Sequence, residues 1–273
     1  MTGSRRSFRL CCVFCALLAG ALALMFSGEW LTGSVRADEP ATPAKKSLPD
    51  GHPGYSYRSE HDPNGTGKFY LGREIAQVMT FHGAPWLERP EREDEERLSL
   101  LVDSLKLTPG MAVADVGAGS GVITLMMAEQ VGKEGRVYAI DIQQEMLDLL
   151  SDKLNHLDVQ NVELVLGAER TPKLEPESID LAIMVDVYHE FEFPWEMTSE
   201  LAKALKPGGR IALIEYRRED PQVPIKLVHK MTVKQVRREL ERPEFGLTWK
   251  ETIGVLPRQH IIVFERKAAD EVR

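Results

Sequence analysis

A glycine-rich stretch, Val113–Gly121, constrains the fold of this chain more than any other part of the sequence. Three apolar residues and the acid Asp115 lead into glycines at positions 117, 119 and 121, and an apolar segment, Val122–Gln130, follows at once. Glycines at the end of a buried strand let a ligand approach the backbone, and the free N–H groups of the next helix point towards that ligand. The pattern predicts a ligand-binding loop between a strand and a helix.

A second acid follows where the next strand is expected to end. Asp141 closes the apolar run that begins at Arg136, and in nucleotide-binding α/β units an acid at this position reaches the hydroxyls of a ribose. The spacing Gly-x-Gly-x-Gly differs from the Gly-x-Gly-x-x-Gly of dinucleotide sites, and Asp115 suits a cationic ligand better than a phosphate. We therefore expect a nucleoside-cofactor site, with an NAD-dependent Rossmann oxidoreductase as the rival interpretation.

Strands and helices alternate after the glycine loop at the spacing of βαβ units, which predicts an α/β fold with a doubly wound, mostly parallel sheet. The expected strands after the loop are 137–140, 162–166, 179–185 and 210–215, with a closing pair at 245–254 and 260–266. The expected helices are 91–107, 143–154, 194–205 and one that starts at Pro224.

Three further segments carry a family resemblance. They are Gly132–Asp141, Tyr188–Glu190 and the Leu-Lys-Pro-Gly-Gly turn at Leu205–Gly209. Together with the glycine loop, they make residues 91–266 resemble the class I S-adenosylmethionine (SAM) methyltransferases, most of all the menaquinone/ubiquinone C-methyltransferase and arsenite methyltransferase branch. The resemblance implies a single Rossmann-like domain with a seven-stranded sheet, SAM as cofactor and S-adenosylhomocysteine (SAH) as product. We expect a small-molecule methyl acceptor, with a quinone-like lipid and a protein side chain as the open alternatives. A SAM- or nucleoside-binding module without turnover is the non-enzymatic alternative.

The resemblance also assigns the cofactor contacts. The loop would pass the methionine portion of SAM, with Asp115 near its ammonium group, while Asp141 would accept hydrogen bonds from the ribose and Ile142 would lie against the adenine. Many relatives carry an acid at position 168, so Ala168 departs from the family pattern, and Glu169 or a backbone group could replace that contact. The expected cofactor-binding residues are Asp115, Gly117, Ala118, Gly119, Gly121, Asp141, Ile142, Ala168, Glu169 and Asp186.

The expected catalytic residues are Asp186, Tyr188 and His189, which follow the fourth strand, with Glu190 beside them. Methyl transfer from a sulfonium depends on alignment and exclusion of water, and a general base is required only when the acceptor must lose a proton. His189 is equally well explained as a hydrogen-bonded packing residue. No metal site is expected, because Asp186 and Glu215 lack a third ligand at a suitable spacing.

The N-terminus differs in composition from the rest of the chain. Three arginines, at positions 5, 6 and 9, precede the apolar run Leu10–Phe26, and Val35-Arg36-Ala37 has the small residues of a cleavage site. This order predicts a secretory signal peptide over residues 1–37, with a retained membrane anchor over 10–26 as the alternative. The start also resembles a twin-arginine export signal. We expect a domain that is exported, periplasmic or extracytoplasmic, or else associated with the membrane through its N-terminus.

Composition limits the partners and the chemistry. A net charge of −8 argues against nucleic acid as a partner. All three cysteines lie within the apolar run, which excludes thiolate chemistry, cysteine-bound zinc and arsenite binding beyond residue 37. The expected plan is a flexible linker over 38–67, an N-terminal helical cap over 68–106 that packs on the main domain, and a methyltransferase domain over 107–267. The sequence does not predict the oligomeric state.

Overall fold

The alternating apolar segments build one large sheet in the computed structural model, which describes residues 54–267. The predicted signal segment, the cysteines and residues 38–53 of the predicted linker lie outside the described residues. The strands are β1 Tyr55–Tyr57, β2 Gly65–Tyr70, β3 Arg73–Ala76, β4 Ala112–Val116, β5 Arg136–Asp141, β6 Val162–Leu166, β7 Ile179–Val185, β8 Leu205–Arg217, β9 Lys230–Met231, β10 Leu247–Ile253 and β11 Gln259–Arg266. The α-helices are α1 Ala84–Leu87, α2 Arg92–Glu96, α3 Leu98–Ser104, α4 Val122–Val131, α5 Gln144–Leu157, α6 Pro194–Ala204 and α7 Val233–Leu240.

The main sheet has the strand order β10-β11-β8-β7-β4-β5-β6, and the two-residue β9 pairs with β8. The five strands from β8 to β6 are parallel, whereas β11 is antiparallel to both β8 and β10. This confirms the predicted doubly wound, mostly parallel sheet. The chain leaves β4 in one direction towards β5 and β6, while β7 and β8 lie on its other side. Ligands of such sheets bind at this switch point, beyond the carboxyl ends of the strands.

Both faces of the sheet are buried because helices cover each of them, and the side chains of every strand alternate between the two faces. On β7, Leu181 and Ile183 pack in the cluster that contains Met127 of α4. Ala182 and Met184 of the same strand pack in the other cluster, which contains Leu201 of α6. The apolar run Leu181–Val185 of β7 therefore reflects a strand covered on both sides.

The N-terminal region differs from the prediction of a linker up to residue 67 followed by a helical cap. Strands β1, β2 and β3 form a separate three-stranded antiparallel sheet, and helices begin only at α1. The reason lies in contacts that are distant in sequence. Lys68 is buried, its Nζ lies 2.9 Å from Glu192 Oε1, and it stands 3.6 Å above the ring of Phe193. These partners stabilise a polar segment that would otherwise remain in solvent.

Two predicted helices also differ from the structure. The helix expected over 91–107 is divided into α2 and α3, because Arg97 adopts a left-handed conformation with φ 58°. The helix expected from Pro224 begins only at α7, because β9 pairs with β8 first and the Oγ1 of Thr232 then accepts the N–H of Gln235 as an N-cap. Within residues 54–267, no helix is long and apolar enough to cross a membrane.

Candidate functional site

The glycine loop leaves β4 in a conformation that only glycine adopts without strain. The φ angles of Gly117, Gly119 and Gly121 are 77°, 54° and 84°. The N–H groups of Gly117 and Ala118 both donate to the carbonyl of Ile140, at 2.8 and 3.0 Å. A Cβ at position 121 would overlap the side chain of Leu150 on α5. The loop is therefore fixed between β5 and α5 before any ligand binds.

Gly121→Ala is expected to lower the free energy of unfolding by about 2–4 kcal/mol, since left-handed strain and overlap with Leu150 add together. Gly246→Ala is the matched control, because Gly246 is also left-handed, with φ 63°, but has open space at its Cβ. The control should cost about 1–2 kcal/mol, the left-handed strain alone. Urea unfolding of both variants measures the difference, and equal losses would contradict the packing assigned to Leu150.

Asp141 ends β5 and connects the two cofactor motifs. Its Oδ2 accepts the N–H of Gly119 at 2.9 Å, and its Oδ1 accepts the N–H of Gln143 at the same distance. Burial raises the pKa of this carboxyl above its usual value. The side chain lies at the switch point and retains acceptor capacity, because each carboxylate oxygen accepts more than one hydrogen bond.

A cavity of about 590 Å³ opens at this edge of the sheet, within the range of about 300–1,000 Å³ that is typical of small-molecule sites. Of the predicted site residues, those that line it are Gly117, Gly119, Asp141, Ile142, Ala168, Glu169, Asp186 and His189. Ile142 presents an apolar side chain that is 44% exposed, as a base-binding surface would. A glycine cradle, an acceptor at Asp141 and this apolar surface together fit a nucleoside cofactor.

Asp115 is predicted to contact the cofactor, but it does not line the cavity. Its side chain is buried beneath the loop, where Oδ2 accepts the hydroxyl of Thr124 at 2.6 Å. Burial raises its pKa from 3.8 to about 6. The structure thus places Asp115 as an anchor between β4 and α4. Ala118 and Gly121 also lie outside the cavity lining.

Asp115→Asn is expected to stabilise the ligand-free protein at pH 8 by about 3 kcal/mol, the equivalent of a shift of about 2 pKa units. Because the folded-state pKa is raised, the folded protein binds the additional proton between pH 4 and 6, and wild-type stability falls as pH rises through that window. The gain in the variant should therefore disappear below pH 4. Urea unfolding across pH measures it, with the exposed Asp152→Asn as control. A gain independent of pH would contradict the assignment.

Tyr188 is the predicted catalytic residue that the structure does not place in the cavity. It is fully buried and packs in the core with Met184 and Met197, while the guanidinium of Arg73 lies 5.5 Å from its ring centre. Asp186 does reach the cavity, from a left-handed backbone with φ 54°. Its Oδ2 accepts the Nε2–H of Gln259 at 3.0 Å, and burial raises its pKa well above the usual value.

The part of the cavity beyond β7 contains a cluster of acids and imidazoles. His189 Nδ1 lies 2.6 Å from Glu215 Oε2, and His189 Nε2 lies 3.2 Å from Nδ1 of His229. Burial lowers the pKa of each histidine to about 4. It raises the pKa of Glu215 to about 8 and that of Glu190 to about 7. The cluster is thus a polar end to a largely apolar cavity.

Residues that precede the glycine loop cover part of the cavity. Trp86 and Leu87 of α1 line it. Gln143 holds this cover in place, because its Oε1 accepts the N–H of Phe81 and its Nε2 donates to the carbonyl of Met79. The sequence analysis missed Gln143 and His229, and no local pattern identifies either of them.

The fold and the cavity define a nucleoside-cofactor protein, and comparison with known proteins identifies its family. A family model described as a methyltransferase domain matches residues 107–255, more than half of the chain. The chain belongs to this methyltransferase family. The predictions of a class I fold, of methyltransferase membership and of SAM as the cofactor of the family are confirmed.

Curated relatives match over part of their length only. A demethylmenaquinone methyltransferase of Listeria welshimeri is 29% identical over 120 residues, 44% of this chain and 50% of that protein. An arsenite methyltransferase of Halobacterium salinarum is 29% identical over 107 residues, 39% of this chain and 27% of that protein. The chain thus spans half or less of the length of these relatives, both of which belong to the branch that the sequence indicated.

Solved structures agree with the fold. A SAM-dependent methyltransferase from Aquifex aeolicus is similar with a TM-score of 0.64 at 25% identity, over 69% of this chain and all of that one. The cyclase SpnF is similar with a TM-score of 0.55 at 15% identity, over 63% of this chain and 82% of that one. The similarity to the cyclase shows the fold alone, because one fold supports several different reactions.

Proposed function

We propose that this chain transfers the methyl group of SAM to a small-molecule acceptor. The proposal rests on a single cavity with two sides. The glycine loop and Asp141 line it on one side of the switch point, and His189, Glu190 and His229 line it on the other. A transferase needs both a cofactor side and an acceptor side within reach of each other.

The residues on the cofactor side would bind and orient SAM. Asp141 would accept hydrogen bonds from the ribose hydroxyls, Ile142 would cover one face of the adenine, and the glycine loop would pass the methionine portion. SAM, when bound, supplies an electrophilic methyl group on a sulfonium. Trp86 and Leu87 cover the site and exclude water from it. Exclusion of water favours transfer of the methyl group to the acceptor over side reactions with solvent.

The residues on the acceptor side would position the group that receives the methyl. Glu190 and His229 are partly exposed in the cavity and offer hydrogen-bonding atoms, while His189 is held from behind by Glu215. Apolar side chains, among them Val187, Phe191 and Ile225, surround these polar atoms. The acceptor that fits is therefore a largely apolar molecule with a polar reactive group.

Transfer of a labelled methyl group tests the proposal. The purified full chain would be incubated with methyl-labelled SAM and a panel of phenols, quinols, thiols, amines and one protein substrate. Transfer to a small molecule with matching production of SAH is the expected result. Tight SAH binding without transfer to any acceptor would instead favour the SAM-binding module. Binding of NADH in place of SAH would favour an oxidoreductase.

We further propose that the protein acts outside the cytoplasm or at the membrane surface, on the basis of its N-terminal sequence. Arginines at positions 5, 6 and 9 followed by the apolar run Leu10–Phe26 support export or anchoring. Fractionation of cells that express the full chain tests this. The protein is expected in the exported or membrane fraction, and recovery in the cytoplasm would contradict the proposal.

A further inference from the structure

Three potential metal ligands converge in the acceptor half of the cavity. The ligand atoms of His189, Glu190 and His229 all lie within 4.8 Å of one another. Nε2 of His189 is 3.2 Å from Nδ1 of His229, and each of these nitrogens is 3.9 Å from Oε1 of Glu190. The circle through three atoms at these separations has a radius of about 2.1 Å, which equals the bond length of a transition metal to imidazole or carboxylate ligands.

Two of the three ligands are held in place by neighbouring groups. Glu215 Oε2 lies 2.6 Å from Nδ1 of His189, and when this carboxyl is ionised and accepts the Nδ1–H, the Nε2 lone pair of His189 is free to bind a metal. The other oxygen of Glu190, Oε2, accepts the backbone N–H of Met79 at 3.3 Å. The imidazole rings of His189 and His229 meet edge to face, with an interplanar angle of 89°. This arrangement brings nitrogen lone pairs together rather than stacking the rings.

The surrounding charges favour a cation at the centre of the triangle. Asp186 and Glu215 are the further acids near Glu190. Of the neighbouring cations, Arg73 is paired with both carboxylate oxygens of Glu239 and also donates to the backbone carbonyl of His189, while the Nζ of Lys226 donates to the Oδ1 of Asn64. Two imidazoles and one carboxylate, supported from behind by a second carboxylate, form a donor set that binds divalent transition metals.

We propose that His189, Glu190 and His229 bind a divalent transition-metal ion whose remaining coordination positions open into the cavity. This differs from the expectation of no metal site, which rested on Asp186 and Glu215, because the two histidines are 40 positions apart in the sequence and only the fold brings them together. All three ligands line the same cavity as the glycine loop. The ion is therefore accessible to a molecule bound beside the cofactor.

The site also defines an acceptor class, and this step rests on the proposed function. A hydroxyl group of the acceptor binds the ion, which lowers the pKa of the hydroxyl, and the proton passes to water. The acceptor oxygen then forms a bond to the methyl carbon, while the bond between that carbon and sulfur breaks and its electron pair remains on the sulfur. The expected acceptors are phenols, catechols or quinols, whose oxygen atoms coordinate metals.

Metal titration of the full chain, free of affinity tags and treated with a chelator, tests the site directly. Zn²⁺ is followed by calorimetry and Co²⁺ by its visible absorption. One equivalent is expected to bind with a nitrogen and oxygen ligand spectrum. His229→Ala and Glu190→Gln should each weaken binding by at least about 100-fold, and Glu215→Gln, as a positioning change, by about 10- to 100-fold. His156→Ala, an exposed histidine on α5, is the control and should bind as the wild type does.

The outcomes separate this site from the proposed function. His229 is 24% exposed, so its alanine variant is expected to fold, and SAH titration of every variant verifies this. No stoichiometric metal binding by a wild type that binds SAH would overturn the metal site and leave the methyltransferase proposal intact. Equal metal affinity in His229→Ala and His156→Ala would also overturn it. Metal binding without SAH binding would support the site and count against the proposed function.

Discussion

Replacing Asp141 with alanine is expected to weaken SAH binding by at least about 100-fold. The carboxylate would accept charge-assisted hydrogen bonds from two ribose hydroxyls, each of which contributes about 1.5–3 kcal/mol. The substitution also removes the acceptor for the N–H of Gly119, so the glycine loop loses a support at the same time. Calorimetric titration of the variant beside the wild type measures the change in affinity.

Two controls separate these causes. Asp141→Asn retains a side-chain oxygen that can accept from Gly119, but it loses the charge, and an intermediate affinity is expected. Asp152→Ala removes an exposed aspartate from α5 and should leave SAH affinity unchanged. If Asp141→Ala bound SAH within about threefold of the wild type, Asp141 would not be the ribose ligand, and the cofactor site would have to be placed elsewhere.

Arg73→Met is expected to lower the free energy of unfolding by about 3–5 kcal/mol, the usual cost of leaving a buried charge without its partner. Arg73 lies on β3, and its Nε and Nη2 donate to Glu239 of α7 at 2.8 and 2.9 Å. Its Nη1 donates to the carbonyl of His189 at 3.1 Å. Loss of the guanidinium leaves the carboxylate of Glu239 without its cation in the interior and removes one contact between the N-terminal sheet and the acceptor side.

Urea unfolding of single and double variants tests this interpretation. Arg73→Met combined with Glu239→Leu should recover most of the stability, because the double variant leaves no unpaired buried charge. Lys203→Met breaks an exposed pair with Glu200 and should cost less than about 1 kcal/mol. A cost this small for Arg73→Met, or a double variant no more stable than the single one, would contradict the role assigned to the ion pair.

The features that could be predicted from the sequence are those with a local physical cause. A glycine with φ near 80° has few substitutes, so Gly117 and Gly121 mark the loop in the sequence as clearly as in the structure. The apolar run Leu181–Val185 likewise indicates a strand buried on both faces. Asp141 follows from the same reasoning, because the carboxyl ends of parallel strands meet at one edge of the sheet.

The features that could not be predicted depend on partners far away in the chain. Lys68 is 124 positions from Glu192 in the sequence, and without that contact the segment around β2 has the composition of a loop. Arg73 and Glu239 are 166 positions apart. Tyr188 is predicted to be catalytic, as is its neighbour His189. His189 lines the cavity, whereas Tyr188 is buried in the core. The two residues belong to a single 3-10 turn, Tyr188–Glu190, in which adjacent side chains point in different directions.

A crystal structure of the SAH complex would show whether one cavity binds both the cofactor and the acceptor. We expect SAH in the cavity of the main sheet, with its ribose hydroxyls on the carboxylate of Asp141, its adenine against Ile142 and its sulfur directed towards the half that contains His189 and His229. SAH bound in another part of the protein, or with its sulfur directed away from that half, would contradict the assignment of one cavity to both cofactor and acceptor.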